Sequence, residues 1–160
     1  MEHQKIFGLP PFYDENSKLL ILGSFPSVLS RKAEFYYGNK QNAFWSILSA
    51  YFEQSCPLQT EDKKLLLSSH NIALWDVVQS CEICGSADTS IKNYTPSNLN
   101  EILSCADIKN IFLNGGKAAQ IFKRHFNDIK IPFVELPSTS PANTRRDDGV
   151  WYDALRRAFN

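Results

Sequence analysis

The chain has 160 residues, 43% of them hydrophobic, and its 17 Lys plus Arg balance 17 Asp plus Glu to a formal charge of zero. That length suits one domain that buries roughly two-thirds of the surface its unfolded form exposes, and a zero net charge argues against a broad electrostatic grip on nucleic acid. No run approaches the roughly 18 to 20 apolar residues of a membrane span, and Met1-Glu2-His3-Gln4-Lys5 lacks the basic start and apolar stretch of a signal peptide, so the expectation is a soluble, cytoplasmic protein.

Residues 1–17 contain Pro10-Pro11 and little periodicity, which predicts an extended arm. Leu19-Leu20-Ile21-Leu22 reads as a first strand that stops at Gly23-Ser24-Phe25-Pro26-Ser27. A long connection through Tyr36-Tyr37-Gly38-Asn39-Lys40-Gln41 follows, and then Phe44, Trp45, Ile47, Leu48, Tyr51 and Phe52 recur at helical spacing. Leu65, Leu66 and Leu67 suggest a second helical piece. Ile72-Ala73-Leu74-Trp75 is a second strand ending at Asp76, and residues 76–98 form a long connection of weak periodicity, the kind that is functional or disordered. Ser97 with Glu101 opens a helix through Leu103, Ile111-Phe112-Leu113 is a third strand ending in Asn114-Gly115-Gly116, and Lys117 to Phe126 is the helix after it. Phe133-Val134-Glu135-Leu136 is a fourth strand running into Pro137-Ser138-Thr139-Ser140-Pro141-Ala142-Asn143, and Asp148 to Phe159 closes the chain as a helix.

Helical stretches separate the four apolar runs, so the simplest arrangement is a parallel sheet whose strands all end on one edge, where ligands of open α/β sheets bind. The unusual polar residues of this chain stand at that edge. Charge is also uneven: up to Ile108 there are 8 basic against 12 acidic residues, and from Lys109 onward 9 against 5, with Arg145, Arg146, Arg156 and Arg157 in the final stretch. By charge alone this is a solvated helix face.

Several chemistries are disfavoured. No GxSxG elbow exists for a serine hydrolase, and the three histidines, His3, His70 and His125, fall in the arm, in a turn and late in a helix. Cys81-Glu82-Ile83-Cys84 has CxxC spacing without the second ligand pair that a structural metal site needs, so no metal is expected and the four cysteines are taken as reduced. Gly115-Gly116 could cradle a phosphate on backbone amides or could serve only a tight strand-to-helix turn.

The ordered set is more specific than its parts. Gly-Ser-Phe-Pro after the first strand, Tyr-Tyr-(x)4-Asn-Ala-Phe-Trp entering the helix, Leu-Trp-Asp-Val after the second, Leu-Asn-Gly-Gly after the third and Leu-Pro-Ser-Thr-Ser-Pro-Ala-Asn after the fourth together resemble the uracil-DNA glycosylase superfamily. Within it they are most similar to the hypoxanthine (deoxyinosine) DNA glycosylase branch, related to the mismatch-specific enzymes, over about Leu19 to Trp151. The resemblance implies an α/β, three-layer sandwich with a four-stranded parallel sheet flanked by helices, spanning residues 1–160 as a single monomeric glycosylase domain. It also implies excision of a deaminated base from DNA without cofactor or metal. Asn42 then matches the catalytic asparagine, Tyr37 the aromatic that stacks on the flipped base, and Asn114 the reader of the base edge. Gly23, Ser24 and Phe25 complete the base pocket. Ser138, Thr139, Ser140, Asn143 and Arg145 fall in the loop that grips DNA.

Physical reasoning bears on each role. Extruding a base costs a few kcal/mol, and stacking on one aromatic such as Tyr37 returns about 1 to 3 kcal/mol; a rim tyrosine packed on the helix is the alternative. The Asn114 amide offers a donor and an acceptor to the carbonyl and ring N–H of hypoxanthine, which uracil shares and adenine reverses; a turn asparagine is the alternative. Asn42 can orient water toward the sugar carbon or cap the following helix, and backbone amides at Gly23 and Ser24 can stabilise charge on the leaving base. Phe25 stands where several branches place a polar Asp or Asn, and Cys84 where a basic residue is expected. Asp76, the nearest carboxylate, would compete with Asn42 as a general base, but an Asp that begins a loop more often accepts backbone hydrogen bonds, and it is read that way. The leading expectation is a monofunctional glycosylase for hypoxanthine, with uracil a further substrate; the alternative is a noncatalytic nucleic-acid or nucleotide-binding domain on the same scaffold.

Overall fold

The computed structural model describes residues 4–159, and His3 lies outside them. Its central element is a four-stranded parallel sheet. In chain order β1 is Ile6–Phe7, β2 Leu19–Gly23, β3 Ile72–Asp76, β4 Val78–Glu82, β5 Lys92–Pro96, β6 Asn110–Asn114 and β7 Phe133–Leu136. The helices are α1 Val28–Ala33, α2 Phe44–Tyr51, α3 Thr60–Ser69, α4 Asn100–Leu103, α5 Gly116–His125 and α6 Asp148–Ala158.

The parallel sheet has the order β3-β2-β6-β7 and is flanked by helices, as the four apolar runs predict. Leu20, Ile21 and Leu22 of β2 are wholly inaccessible because β2 is central and covered on both faces, which is why its sequence is an unbroken apolar run rather than an alternation. At the edge, β7 leaves Phe133, Val134 and Glu135 exposed, and Glu135 pairs with Lys123 of α5 at 3.7 Å.

Two regions depart from the expected irregular structure. β1 pairs with β4 in a small antiparallel sheet of order β1-β4-β5, so the connection between Asp76 and Asn98 is largely a hairpin, and the arm before β2 is tied to it. The arm is pinned twice more: the Trp75 indole N–H donates to Leu9 O at 3.1 Å, and the Tyr36 hydroxyl to Pro10 O at 2.7 Å. The other departure is α1, a short helix capped by Ser27, whose hydroxyl accepts from Ser30 N, in what reads from sequence as an open connection.

Registry decides where the strands stop. Gly23 of β2 lies beside Asp76 of β3, and Leu113 of β6 lies beside Leu22, so Asn114 ends level with Gly23 and Asp76. Asn114 is in turn opposite Leu136 of β7, which puts the residues after Leu136 at the same edge.

Candidate active site

A cavity of about 420 Å³ opens at this carboxyl edge, within the range of small-molecule sites. It is lined by Gly23, Ser24 and Phe25 after β2, Tyr37 and Asn42 before α2, Asp76 after β3, Asp88, Asn114 after β6, and Ser138, Thr139 and Ser140 after β7. The ends of all four parallel strands therefore meet in one place. Asn143 and Arg145 lie beyond its lining; Asn143 donates to Ser138 O at 3.0 Å and braces the loop, while Arg145 is solvent-exposed.

Tyr37 is held in an uncommon backbone conformation, with φ of 53°. Such a residue needs its surroundings to over-determine it. The Trp45 indole N–H does so by donating to both Tyr36 O, at 3.2 Å, and Tyr37 O, at 3.1 Å. One ring face of Tyr37 is stacked on Phe44, with centroids 4.1 Å apart and planes 25° from parallel. Burial first, then the Asp76 carboxyl, drives the Tyr37 phenol well above its ordinary range; Asn114 beside it pulls the other way, although no hydrogen bond of ordinary geometry joins the two.

Asn42 does cap a turn: its Oδ1 accepts from Phe44 N at 2.9 Å. A carboxamide oxygen has two lone pairs, so this bond leaves one of them and the amide donors available for other partners. Asn114 is more constrained. Its Nδ2 donates to Thr139 Oγ1 at 2.9 Å and its Oδ1 accepts from Thr139 N at 3.0 Å. Because a backbone N–H can only donate, the second bond settles which end of the amide is oxygen. Both bonds go to one residue, so the shared donor-acceptor edge faces Thr139, and one N–H and one lone pair remain for other partners. The free donor-acceptor pair expected from sequence is thus partly occupied.

Thr139 is itself only 1% exposed and lies under the loop rather than on its outer surface, with its hydroxyl engaged by Asn114. Its carbonyl accepts from Ala43 N at 3.0 Å, so this one residue joins the two segments that carry Asn42 and Asn114. Ser138 Oγ and Ser140 Oγ accept from Ser140 N and Ala142 N, each at 3.2 Å, shaping the loop as a chain of local turns.

Three further features revise the sequence expectations. Asp76 is 4% exposed, and its Oδ2 has no partner among the described residues; the carboxyl caps no backbone N–H, contrary to expectation. Burial first, and then the neighbouring Asp88, push the Asp76 carboxyl up to about 8. Asp88, which sequence reasoning missed, accepts the Ser24 hydroxyl at 2.6 Å from a 3-10 turn; the polar run Ser86-Ala87-Asp88 after the cysteine pair was its only signal. Gly115 has φ of 102° and its N–H donates to Leu136 O at 2.9 Å, so this residue serves a tight turn and its own amide is engaged.

The remaining candidates lie elsewhere. His70 stacks on Phe52 and His125 faces Tyr94, both away from the cavity. All four cysteines are free, and burial raises the Cys81 thiol to about 11. Phe25 is 8% exposed, carries the Arg31 guanidinium 5.6 Å above its ring, and Arg31 also donates to Gly85 O at 3.1 Å; the basic group near Cys84 therefore comes from α1. Among the described residues no helix is long and apolar enough to cross a membrane.

An open parallel sheet with a cavity at its carboxyl edge and carboxamides on two of its walls defines an α/β protein with a small-molecule-sized site at its strand ends. A family model described as the uracil DNA glycosylase superfamily matches residues 10–159, and the chain belongs to that superfamily. It is 32% identical over 159 residues to a hypoxanthine DNA glycosylase of Methanosarcina barkeri, covering 94% of this chain and 98% of the relative. It is 33% identical over 140 residues to a hypoxanthine DNA glycosylase of Methanosarcina acetivorans, covering 86% and 88%. The solution NMR structure of a candidate uracil DNA glycosylase from Methanosarcina acetivorans superposes with a TM-score of 0.85 at 28% identity, over 98% of this chain and all of the other.

Proposed function

We propose that this chain is a monofunctional DNA glycosylase that flips a deaminated base out of DNA, with hypoxanthine as its first substrate, and hydrolyses the N-glycosidic bond. The observation that carries the reading is the convergence of Tyr37, Asn42 and Asn114 on one cavity at the strand ends. Both curated relatives are named for hypoxanthine, which supports that choice of base. Uracil presents the same carbonyl and ring N–H and is the second substrate to test. With free cysteines throughout, the reading places the protein on DNA in a reducing cytoplasm.

In this reading the flipped base lies against Tyr37, whose other ring face is already backed by Phe44. The remaining Asn114 N–H donates to the base carbonyl; the amino group of adenine at that place would set donor against donor. Asn42 holds water toward the sugar carbon as positive charge develops there. Among the described residues no lysine lines the cavity, which favours hydrolysis over a Schiff base with the opened sugar.

Oligonucleotides carrying one deoxyinosine, incubated with protein and then treated with alkali, test this directly. We expect strand breaks at inosine, reduced about 100-fold or more in Asn42→Ala. Because Asn42 also caps a turn, Asn42→Ser supplies the control: it keeps a capping oxygen, and its activity should still be lost. Tight binding without breaks by the wild type would refute catalysis and leave a binding domain.

A further inference from the structure

Two buried polar atoms in the cavity wall have no hydrogen-bond partner among the described residues: Asp76 Oδ2 and Tyr37 Oη. They sit together. A Cβ built on Gly23 would stand 2.6 Å from Asp76 Oδ1 and 3.2 Å from Tyr37 Oη, so both groups crowd the same side of that glycine. An unpaired buried polar atom forfeits its hydration without compensation, and native structures rarely retain one without use for it.

The surroundings show that the carboxyl is not needed to build the loop. After β3, Val77 N donates to Gly23 O at 2.8 Å and Val78 N to Ser24 O at 3.1 Å, while the Ser97 hydroxyl donates to the Asp76 backbone oxygen at 2.6 Å. Every local structural bond is made by something other than the Asp76 side chain. The ionisable groups facing it are Asp88 from the 3-10 turn and Tyr36 and Tyr37 from the segment before α2. Of these, Asp88 accepts the Ser24 hydroxyl. The two carboxyl groups thus stand in different environments: one hydrogen-bonded and solvated, the other dry and unpartnered. Burial disfavours charge on the dry one, Asp76.

We propose that Asp76 is the general acid of the reaction, donating its proton to the N7 nitrogen of the flipped purine as the glycosidic bond breaks. The proposal rests on the glycosylase reading above. As C1′–N9 cleaves, its electron pair passes into the base, and the Asp76 proton moves to N7, so hypoxanthine departs as a neutral tautomer. The water held at Asn42 forms its bond to C1′, and the proton it loses returns to the Asp76 carboxylate. Substrate and water become free base and abasic sugar, with the acid restored. A proton donor also answers the chemistry left open by Phe25: the family position that elsewhere carries a polar side chain is apolar here, and assistance shifts from activating the water to neutralising the leaving group.

The test is single-turnover release of hypoxanthine from a deoxyinosine duplex, followed from about pH 5 to about pH 10, for wild type and Asp76→Asn, with binding measured on a non-cleavable 2′-fluoro-deoxyinosine duplex. We expect the wild-type rate to fall with increasing pH above about 8, where the acid loses its proton. Asp76→Asn should be about 10²- to 10³-fold slower at neutral pH, lack that alkaline decline, and bind the analogue within about threefold of wild type. The wild type should also be slow on 7-deaza-deoxyinosine, which has no N7. Asp76→Asn that releases hypoxanthine at the wild-type rate, or keeps the wild-type alkaline decline, overturns the proposal, as does brisk release from the 7-deaza substrate. The wild-type pH profile needs no variant to fold. A wild type that releases no hypoxanthine at any pH fails the glycosylase reading and the proposal with it, whereas an active wild type matched by Asp76→Asn fails the proposal alone.

Discussion

At the scale of single residues the cavity is held by positions with little room to change. Gly23 is the tightest. Any side chain there would meet Asp76 Oδ1 at 2.6 Å, closer than a carbon and an oxygen can approach, with Tyr37 Oη next in line at 3.2 Å. Neither neighbour yields easily, since Tyr37 is clamped by Trp45 and Asp76 lies at the end of a buried strand. Gly23→Ala should therefore displace one of these two groups in the cavity wall. We expect about 1 to 3 kcal/mol of destabilisation from overpacking, read by denaturant unfolding, and a fall in inosine excision of about tenfold or more. A variant with wild-type excision would show that the wall at Gly23 does not shape the site. Part of this was legible in the residues: Asn42, Asn114 and Tyr37 stand out because they follow apolar runs or precede a helix. Asp76 was misread for a physical reason. A sequence cannot show that the backbone N–H groups after it find Gly23 O and Ser24 O, leaving the carboxyl unengaged.

At the scale of elements, the site is assembled by bonds that run between segments and not within them. Each of the three tryptophans directs its indole N–H to a backbone carbonyl in a neighbouring segment: Trp45 to the Tyr36-Tyr37 turn, Trp75 to the arm at Leu9, and Trp151 of α6 to Pro137 at 2.8 Å, at the start of the loop after β7. Thr139 then joins that loop to β6 through Asn114 and to the start of α2 through Ala43. Thr139→Val keeps the shape and the backbone bond but removes the hydroxyl, so the Asn114 amide loses one of the two bonds that fix its orientation. The expected outcome is about 1 to 3 kcal/mol lost in stability and a narrowed preference for deoxyinosine over deoxyadenosine, read as the ratio of kcat/KM values, with Thr139→Ser restoring the preference. An unchanged ratio would leave Thr139 as loop packing only. The elements most legible in sequence are those with one strong period. The parallel strands are continuous apolar runs, and α2, α5 and α6 carry clear stripes. The antiparallel hairpin was hidden because register shifts between Val78, Ser80 and Glu82 break its alternation, and α1 because only Ser30 among its six residues is buried. Such elements owe their form to pairing and capping, which no period records.

At the scale of the whole molecule, the buried acid should be visible in the pH dependence of folding itself. An ordinary aspartate loses its proton near 3.8, whereas Asp76 in the folded chain holds it up to about 8. Between those values the native state binds a proton that the unfolded chain has released, so stability falls as pH rises, by roughly 1.4 kcal/mol per pH unit from this one group, and becomes level above the folded value. This is the reverse of a salt-bridged aspartate, whose contribution is lost on acidification. Other carboxylates titrate as well, but they are common to wild type and Asp76→Asn, so the difference between the two proteins isolates the group. Asparagine fits the same space and never ionises. Thermal unfolding should therefore find the two close in Tm near pH 4, with the variant's advantage growing through neutrality to about 10 °C or more by pH 9, given roughly 2 to 4 °C per kcal/mol for a chain of this size. A variant gaining stability while losing excision would mark Asp76 as a residue kept for chemistry at the expense of the fold. Parallel Tm curves across the whole range would mean that water reaches the carboxyl and that it ionises as an ordinary surface group does.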